Sequence, residues 1–206
     1  MHMKRYVFII MMIAGCIAAS AQGVQLGVRA GINSGNLTTK LPGIIQGTEQ
    51  RGFVMGAFAR ATALGFLVQP ELNFSQRVGK FEDPAVGGAF TNTLSYVDVS
   101  VLVGYGVLGL LRVNFGPTLM TLVSASQSRD NSIINRNFKK DNYNSTAYGF
   151  QIGAGFDISK FCIDIRYDTN ITNLGKNGIT GSGGPWDYRT GFGMYQVTIG
   201  YKIIKL

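Results

Sequence analysis

The amino-acid sequence predicts an all-β fold: an eight-stranded antiparallel up-and-down transmembrane β-barrel, preceded by a cleavable signal peptide. Apolar and polar residues alternate with a period of two along most of the chain, whereas beyond residue 21 no stretch of helical length has apolar residues at helical spacing. The predicted strands are joined alternately by short turns and long polar connections. An even number of antiparallel strands joined in this way is typical of outer-membrane barrels.

The first 21 residues have the composition of a signal peptide, with two early cations, an apolar run and small residues before Gln22. The apolar run is too short to cross a bilayer as a helix. We therefore predict that residues 1–21 are removed on export and that residues 22–206 form a single barrel domain. An alternative is that residues 13–16 form a lipobox, in which case Cys16 would be lipidated instead.

The eight strands are each predicted from residues that recur at every second position on one face. In chain order, the predicted strands and their apolar faces are 24–35 (Val24, Leu26, Val28, Ala30, Ile32), 51–62 (Phe53, Met55, Ala57, Ala59), 65–79 (Val68, Pro70, Leu72, Phe74), 94–106 (Val97, Val99, Val101, Val103, Tyr105), 110–123 (Leu111, Val113, Phe115, Pro117, Leu119), 145–158 (Tyr148, Phe150, Ile152, Ala154, Phe156), 161–174 (Ile163, Ile165, Tyr167, Ile171) and 189–203 (Tyr195, Val197, Ile199, Tyr201, Ile203). Each strand is long enough to cross a thin membrane at a tilt of about 45°.

The connections alternate in length along the chain. The predicted tight turns are near residue 63, at 107–109 and at 159–160, and the predicted longer polar segments are 36–50, 80–93, 124–144 and 175–188. Pro70 and Pro117 fall inside predicted strands, and we expect each at a bulge or near a strand end because proline removes a ladder hydrogen bond.

The opposite faces carry charged residues, which a membrane barrel would turn into its narrow lumen. The predicted lumen charge network is Arg29, Arg60, Glu71, Arg77, Asp98, Arg112, Asp157, Asp164, Arg166, Asp168 and Lys202. Its six cations and five anions nearly balance, as buried ions require, since an unpaired buried charge costs several kcal/mol, on the order of 3–5. We expect the inward glycines Gly104, Gly116, Gly153 and Gly155 to make room for the arginines.

The sequence offers little for catalysis. The single histidine, His2, lies in the predicted signal peptide, which excludes histidine-based acid–base catalysis and multi-histidine zinc sites in the mature chain. Asp164 and Asp168 share a strand face and could form a catalytic or metal pair, but their arginine neighbours favour ion pairs. We predict no enzyme activity, catalytic residue, metal or cofactor. The net charge of +8 is scattered, which argues against a nucleic-acid partner.

Two other barrels fit the alternation. A soluble lipocalin-like barrel would turn its apolar face inward around an apolar ligand, and a narrow channel would need a continuous water path through the lumen. Tyrosines on the apolar face, several near predicted strand ends, favour the membrane barrel because outer-membrane barrels carry interfacial aromatic girdles.

Segments along nearly the whole mature chain resemble the PorT-type outer-membrane β-barrel domain of Bacteroidetes. They are LGVRAGINSGNL at 26–37, RGFVMGAFA at 51–59, LVQPELNFSQRVGK at 67–80, LSYVDVSVLVGYG at 94–106, VNFGPTLMTLVSA at 113–125, YGFQIGAGFDI at 148–158, IDIRYDTNITNLG at 163–175 and YQVTIGYKI at 195–203. The resemblance implies an outer-membrane location, contact with outer-membrane lipid, and partners among envelope or secretion proteins reached through the long loops. It implies no catalytic residues.

Overall fold

The computed structural model describes residues 23–39, 45–83, 88–107, 109–129, 143–175 and 190–205. The predicted signal peptide and the alternative lipidation of Cys16 lie outside these residues. Nine strands are described: β1 (Gly23–Thr39), β2 (Ile45–Gln46), β3 (Gln50–Ala63), β4 (Phe66–Asp83), β5 (Gly88–Val107), β6 (Leu111–Arg129), β7 (Thr146–Ile158), β8 (Phe161–Asn170) and β9 (Thr190–Lys205). No helix among the described residues is long and apolar enough to cross a membrane.

The eight long strands form one closed antiparallel sheet. Each pairs with the long strands before and after it in the chain, and β1 pairs with β9 to complete the ring. The short strand β2 adds to the edge of β4, with Ile45 opposite Glu82. The predicted all-β, eight-stranded, up-and-down barrel is therefore confirmed. We call the end with the short β3–β4, β5–β6 and β7–β8 connections the turn end, and the opposite end the loop end.

Alternating burial shows which face points inward. On β6, Val113 is 58% exposed while its neighbour Arg112 is 3% exposed, and on β8 Ile165 is 58% exposed while Arg166 is 1% exposed. The same alternation runs round the ring, so the barrel is apolar outside and polar inside. The soluble carrier, which requires the opposite arrangement, is wrong.

Aromatic pairs lie at both ends of the outer apolar surface. At the turn end, Phe66 contacts Tyr105 and Phe161 contacts Tyr201, with ring centroids 5.2 Å and 5.3 Å apart. Nearer the loop end, Tyr167 and Tyr195 lie 5.3 Å apart. Two aromatic girdles flanking an apolar band about 25 Å tall are the usual lipid-facing surface of such barrels.

Four strands extend further than the sequence predicted. Strand β1 continues to Thr39, so residues 36–39 are not part of the predicted 36–50 loop, and the other three are β4, β5 and β6. The strands β4, β5 and β6 contain 18, 20 and 19 residues, so β4 continues to Asp83, β5 begins at Gly88 and β6 continues to Arg129. The prediction that 80–93 is a long loop and that 124–129 is part of one is therefore wrong. We call residues 75–83, 88–96 and 120–129 the strand extension. Its outward residues are mostly polar, which is why its sequence resembled a loop.

Strand β8 is shorter than predicted and ends at Asn170 rather than at residue 174. Its last side chain redirects the backbone: the Asn170 amide nitrogen donates to the Thr172 carbonyl oxygen (2.8 Å) and its amide oxygen accepts from the Phe192 N–H (2.6 Å). Asparagine often makes such local bonds to nearby backbone groups and thereby ends regular structure.

Both strand prolines were expected at bulges or strand ends, and this expectation is wrong. The β3–β4 register passes unshifted across Pro70, from Phe58 opposite Glu71 to Ala61 opposite Val68. The β5–β6 register likewise passes Pro117 without a shift, and both prolines face outward. Because proline has no N–H, one ladder contact is lost while the strand continues. The bulges lie elsewhere, at 26–27 in the β1–β9 pair and at 95–96 in the β5–β6 pair.

Candidate functional site

Glu71 is the centre of the polar interior. Its carboxylate accepts hydrogen bonds from Arg29 (2.5 Å), Arg166 (2.8 Å), Gln69 (2.5 Å) and Asn73 (3.1 Å), and its side chain has no exposed surface. Strand β4 presents Glu71 while β1 and β8 present the two arginines, so these bonds connect strands that are not neighbours in the sheet. A carboxylate with this many charged and amide donors is well compensated for its burial.

A second group of charges surrounds Asp157 at the turn end. Arg60 binds one carboxylate oxygen at 2.9 Å, Arg112 binds the other, and Lys202 lies 3.4 Å from that second oxygen. Arg112 also contacts Asp164 at 2.8 Å, and Asp164 in turn contacts Arg166 at 3.3 Å. The Asp157 group and the Glu71 group are therefore one connected chain of ion pairs.

Arg77 forms a separate group nearer the loop end. Its guanidinium contacts Asp98 at 3.1 Å and Asp168 at 2.9 Å. It also lies against two aromatic rings, 4.8 Å from the Tyr96 centroid and 4.4 Å from the Phe192 centroid. Arg77 is therefore held by ion pairs to the two carboxylates and by cation–π contacts with the two rings.

The structure thus places all eleven residues of the predicted network inside the barrel but divides them into two sets. The larger set has five cations and three anions, namely Arg29, Arg60, Arg112, Arg166 and Lys202 with Glu71, Asp157 and Asp164. The smaller set has Arg77 with Asp98 and Asp168. The charges of the lumen nearly cancel overall. The larger set, which reaches the turn end, has an excess of cations, and the smaller set nearer the loop end has an excess of anions.

Two of the four glycines have the role that we predicted for them. A Cβ built on Gly155 would lie 2.5 Å from the Cζ of Arg112. One built on Gly153 would lie 2.5 Å from the Cγ of Arg166, and also closer still to the backbone oxygen of Ile165. Gly104 and Gly116 instead face the backbone of the neighbouring strand, so the prediction is wrong for them. Strand contact, rather than an arginine, limits the side chain at those positions.

The lumen also holds an apolar cluster that the sequence analysis missed. We call it the apolar cap, and it consists of Leu37, Phe81, Leu94, Tyr96, Met120, Leu122, Tyr143, Ala147, Leu174, Phe192 and Met194, each at most 3% exposed. Its members come from β1, β4, β5, β6, β7 and β9 and from two segments outside the strands. Ala147 and Met194 precede Tyr148 and Tyr195 of the outer surface, so the cap begins near the level of the loop-end tyrosines.

The polarity of the inner and outer faces at the loop end is the reverse of that in the rest of the barrel. Within the outer apolar band the interior is charged. Within the strand extension the interior is mostly apolar, with Ser75, Arg77 and Asn92 as buried polar exceptions, and outward residues such as Gln76, Lys80 and Thr93 are polar. The sequence did carry this signal, because apolar residues occupy every second position on the inward face: Leu94 and Tyr96 on β5, and Met120 and Leu122 on β6. The cluster was missed because we expected one polarity along the whole strand.

The acidic pair on β8 does not form a shared site. Asp164 contacts Arg112 and Arg166, whereas Asp168 contacts Arg77 in the other set. Among the described residues, no group of three histidine, cysteine or acidic side chains could hold a metal ion. The lumen groups are arranged to neutralise one another across the barrel.

The sequence matches a known protein family. A model described as the outer membrane protein beta-barrel domain matches residues 19–175, which is more than half of the chain. The chain belongs to this family. It is therefore a small outer-membrane barrel, located in the outer membrane with its apolar band in the lipid bilayer. In such barrels the turns are periplasmic and the longer loops extracellular. A comparison with curated proteins gives no match.

Solved outer-membrane proteins align with this chain, and one of them, Neisserial surface protein A, is similar enough to show the same fold. Neisserial surface protein A aligns with 13% identity and a TM-score of 0.51 over 88% of this chain and 100% of that chain. Ail of Yersinia pestis, in complex with the heparin analogue sucrose octasulfate, aligns with 13% identity and a TM-score of 0.47 over 88% and 99%. OprG of Pseudomonas aeruginosa aligns with 11% identity and a TM-score of 0.47 over 88% and 94%.

Proposed function

We propose that this outer-membrane barrel is a closed, non-enzymatic scaffold that binds another protein at its extracellular end. The observation that carries the proposal is the reversal of polarity along β4, β5 and β6. A barrel that only had to span the bilayer would need strands of about 9–11 residues, whereas these three contain 18, 20 and 19 residues.

The strand extension has the composition of a water-exposed recognition surface. Its inner face packs into the apolar cap, which holds the three strands in a fixed shape beyond the membrane. Its outer face presents polar groups, including Gln76, Lys80, Glu82, Thr93 and Thr121. A rigid polar sheet of this kind can position contacts for a partner at little cost in conformational entropy.

The interior argues against the narrow channel. Apolar cap residues fill the lumen near the loop end, and ion pairs that cross between distant strands fill it below. An eight-stranded barrel leaves an interior only wide enough for its side chains. We therefore expect the purified protein to show no single-channel conductance in planar bilayers.

The resemblance to the PorT-type domain of Bacteroidetes supports the choice of partner. Because one named member of that family supports protein secretion through the outer membrane, we propose that the partner is a secretion or envelope-assembly protein. We also propose that residues 1–21 are a signal peptide and that residues 22–206 form a single barrel domain.

Site-specific photo-crosslinking in cells tests the binding surface. A photoreactive residue at Thr93, on the outer face of the extension, is expected to capture a protein that mass spectrometry identifies as a secretion or envelope-assembly component. Val101 lies on the same strand within the apolar band and faces outward, so it is the matched control and should capture only lipid. The same adducts at both positions, or none at Thr93, would contradict the proposal.

A further inference from the structure

We infer that the turn end of the lumen binds a small oxyanion, a phosphate or a carboxylate, between Arg60, Arg112 and Lys202. This site lies at the opposite end of the barrel from the proposed binding surface. It is carried by three observations: the local excess of positive charge, buried N–H groups without partners, and the exposure of Asp157.

The charge excess is concentrated around Asp157. Farther inside, Arg29 and Arg166 are matched by Glu71 and Asp164. Three cations, Arg60, Arg112 and Lys202, contact the carboxylate of Asp157, and of these only Arg112 contacts a second carboxylate among the described residues, that of Asp164, which it shares with Arg166. Because uncompensated charge away from bulk water is costly, an additional anion at this place lowers the energy of the group.

Hydrogen-bond donors without partners in the described part of the chain are present in the two arginines that contact Asp157. Arg60 gives its Nε to Gln69 (2.5 Å) and its Nη1 to Gln25 (3.2 Å) and Asp157 (2.9 Å), but its buried Nη2 has no hydrogen-bond partner among the described residues. The buried Nε of Arg112 likewise has none in the described ranges. Guanidinium N–H groups bind phosphate and carboxylate oxygens more strongly than neutral acceptors.

On the periplasmic side, the Asp157 side chain connects this group to the surface. The Asp157 side chain is 17% exposed, whereas the side chains of Arg60, Arg112 and Lys202 are at most 5% exposed. All four residues lie within three positions of a strand end at the turn end. Lys202 also donates to the Ser159 carbonyl oxygen in the β7–β8 turn at 3.0 Å, which places its ammonium at this rim.

The test measures how phosphate stabilises the folded barrel. Purified protein in an uncharged detergent is unfolded in urea at rising inorganic phosphate, with sodium chloride keeping the ionic strength constant. Because a ligand that binds only the folded state stabilises it, the wild type should become more stable as phosphate replaces chloride. No dependence beyond that of chloride would overturn the inference.

Three variants separate the site from general screening. Lys202→Gln removes one donor and should weaken the apparent phosphate affinity about tenfold, the loss typical of a charge-assisted hydrogen bond. Asp157→Asn removes the carboxylate that now binds the three cations, and it should strengthen the apparent phosphate affinity by a similar factor. Lys205→Gln removes an exposed charge at the same end and should leave it unchanged. Equal phosphate dependence in all variants would show surface screening and refute the site.

The source of the phosphate group can be distinguished in the same system. Unfolding is repeated in phosphatidylcholine vesicles with and without phosphatidylglycerol, at fixed inorganic phosphate. An increment from phosphatidylglycerol that disappears in Lys202→Gln assigns the site to a lipid headgroup, and an increment from inorganic phosphate alone assigns it to a free anion. Heat-shifted gel mobility, measured for each variant, confirms that the barrel is folded before its affinity is compared.

Discussion

Replacing Glu71 by glutamine tests whether the interior ion pairs hold the barrel together. The substitution keeps the size and shape of the side chain but removes its charge, which leaves Arg29 and Arg166 with one carboxylate fewer between them. Breaking a buried pair by removing one partner typically costs about 3–5 kcal/mol. Gln69 donates to one carboxylate oxygen, whereas Asn73 and both arginines donate to the other. The amide of glutamine can replace only one of these two acceptors, so we expect a loss of about 3–5 kcal/mol.

The assay is equilibrium unfolding in urea, with the folded fraction measured from the mobility of unboiled protein on a semi-native gel. Glu82→Gln is the matched control, because Glu82 is an exposed carboxylate on the same strand. It should unfold as the wild type does. A loss below about 1 kcal/mol in Glu71→Gln, no larger than an exposed salt bridge gives, would refute the reasoning that this carboxylate compensates two buried arginines.

A double variant makes the test more specific. Adding Arg29→Gln to Glu71→Gln removes a cation that the first substitution left unmatched. The two losses should therefore be less than additive, with a coupling energy within the range of about 0.5–3 kcal/mol found for residues in contact. Strict additivity would mean that the two groups stabilise the barrel independently.

Three further changes test the cap, the outer band and the glycine space, each by the same urea unfolding. Leu122→Ala should cost about 2–5 kcal/mol because it leaves a cavity in the apolar cap, and a loss like that of an exposed residue would show that the cap is loosely packed. Ile165→Lys should cost about 2–4 kcal/mol because it puts a charge in the lipid-facing band. Gln76→Lys in the strand extension should leave the stability unchanged. Equal losses in the two variants would show that Ile165 and Gln76 do not differ in their exposure to lipid. Gly155→Ala should destabilise the barrel by about 1–3 kcal/mol because its Cβ would overlap a guanidinium, whereas Gly106→Ala has no neighbouring atom closer than 3.7 Å and should be tolerated.

The faces of the strands could be predicted from the sequence because lipid and lumen impose opposite polarity on alternate residues. Val113 and Arg112 differ so strongly in polarity that their sequence alone assigns Val113 to the outer face and Arg112 to the lumen. The partners of the charges could not be predicted in this way. Arg77 and Asp168 are separated by 91 positions in the chain, and their contact depends on how far each strand is staggered round the barrel.

The cap was missed for a different physical reason. Beyond the membrane the outer solvent changes from lipid to water, so the polarity of both faces reverses while the period of two continues. Leu94 therefore faces inward on β5 with the same alternation that places Asp98 in the lumen. Leu122 does so on β6 with the same alternation as Arg112. If a single outer solvent is assumed along each strand, such residues are mistaken for loops.

The apolar cap also bears on how the barrel completes its assembly. Leu37 lies on the first strand and Phe192 and Met194 lie on the last, so these residues come together only when β1 pairs with β9. An unclosed barrel would expose them to water on the extracellular side. Closure of the ring therefore gains hydrophobic free energy in water, in addition to the backbone hydrogen bonds formed within the bilayer. The last step of folding would thus be driven from outside the membrane.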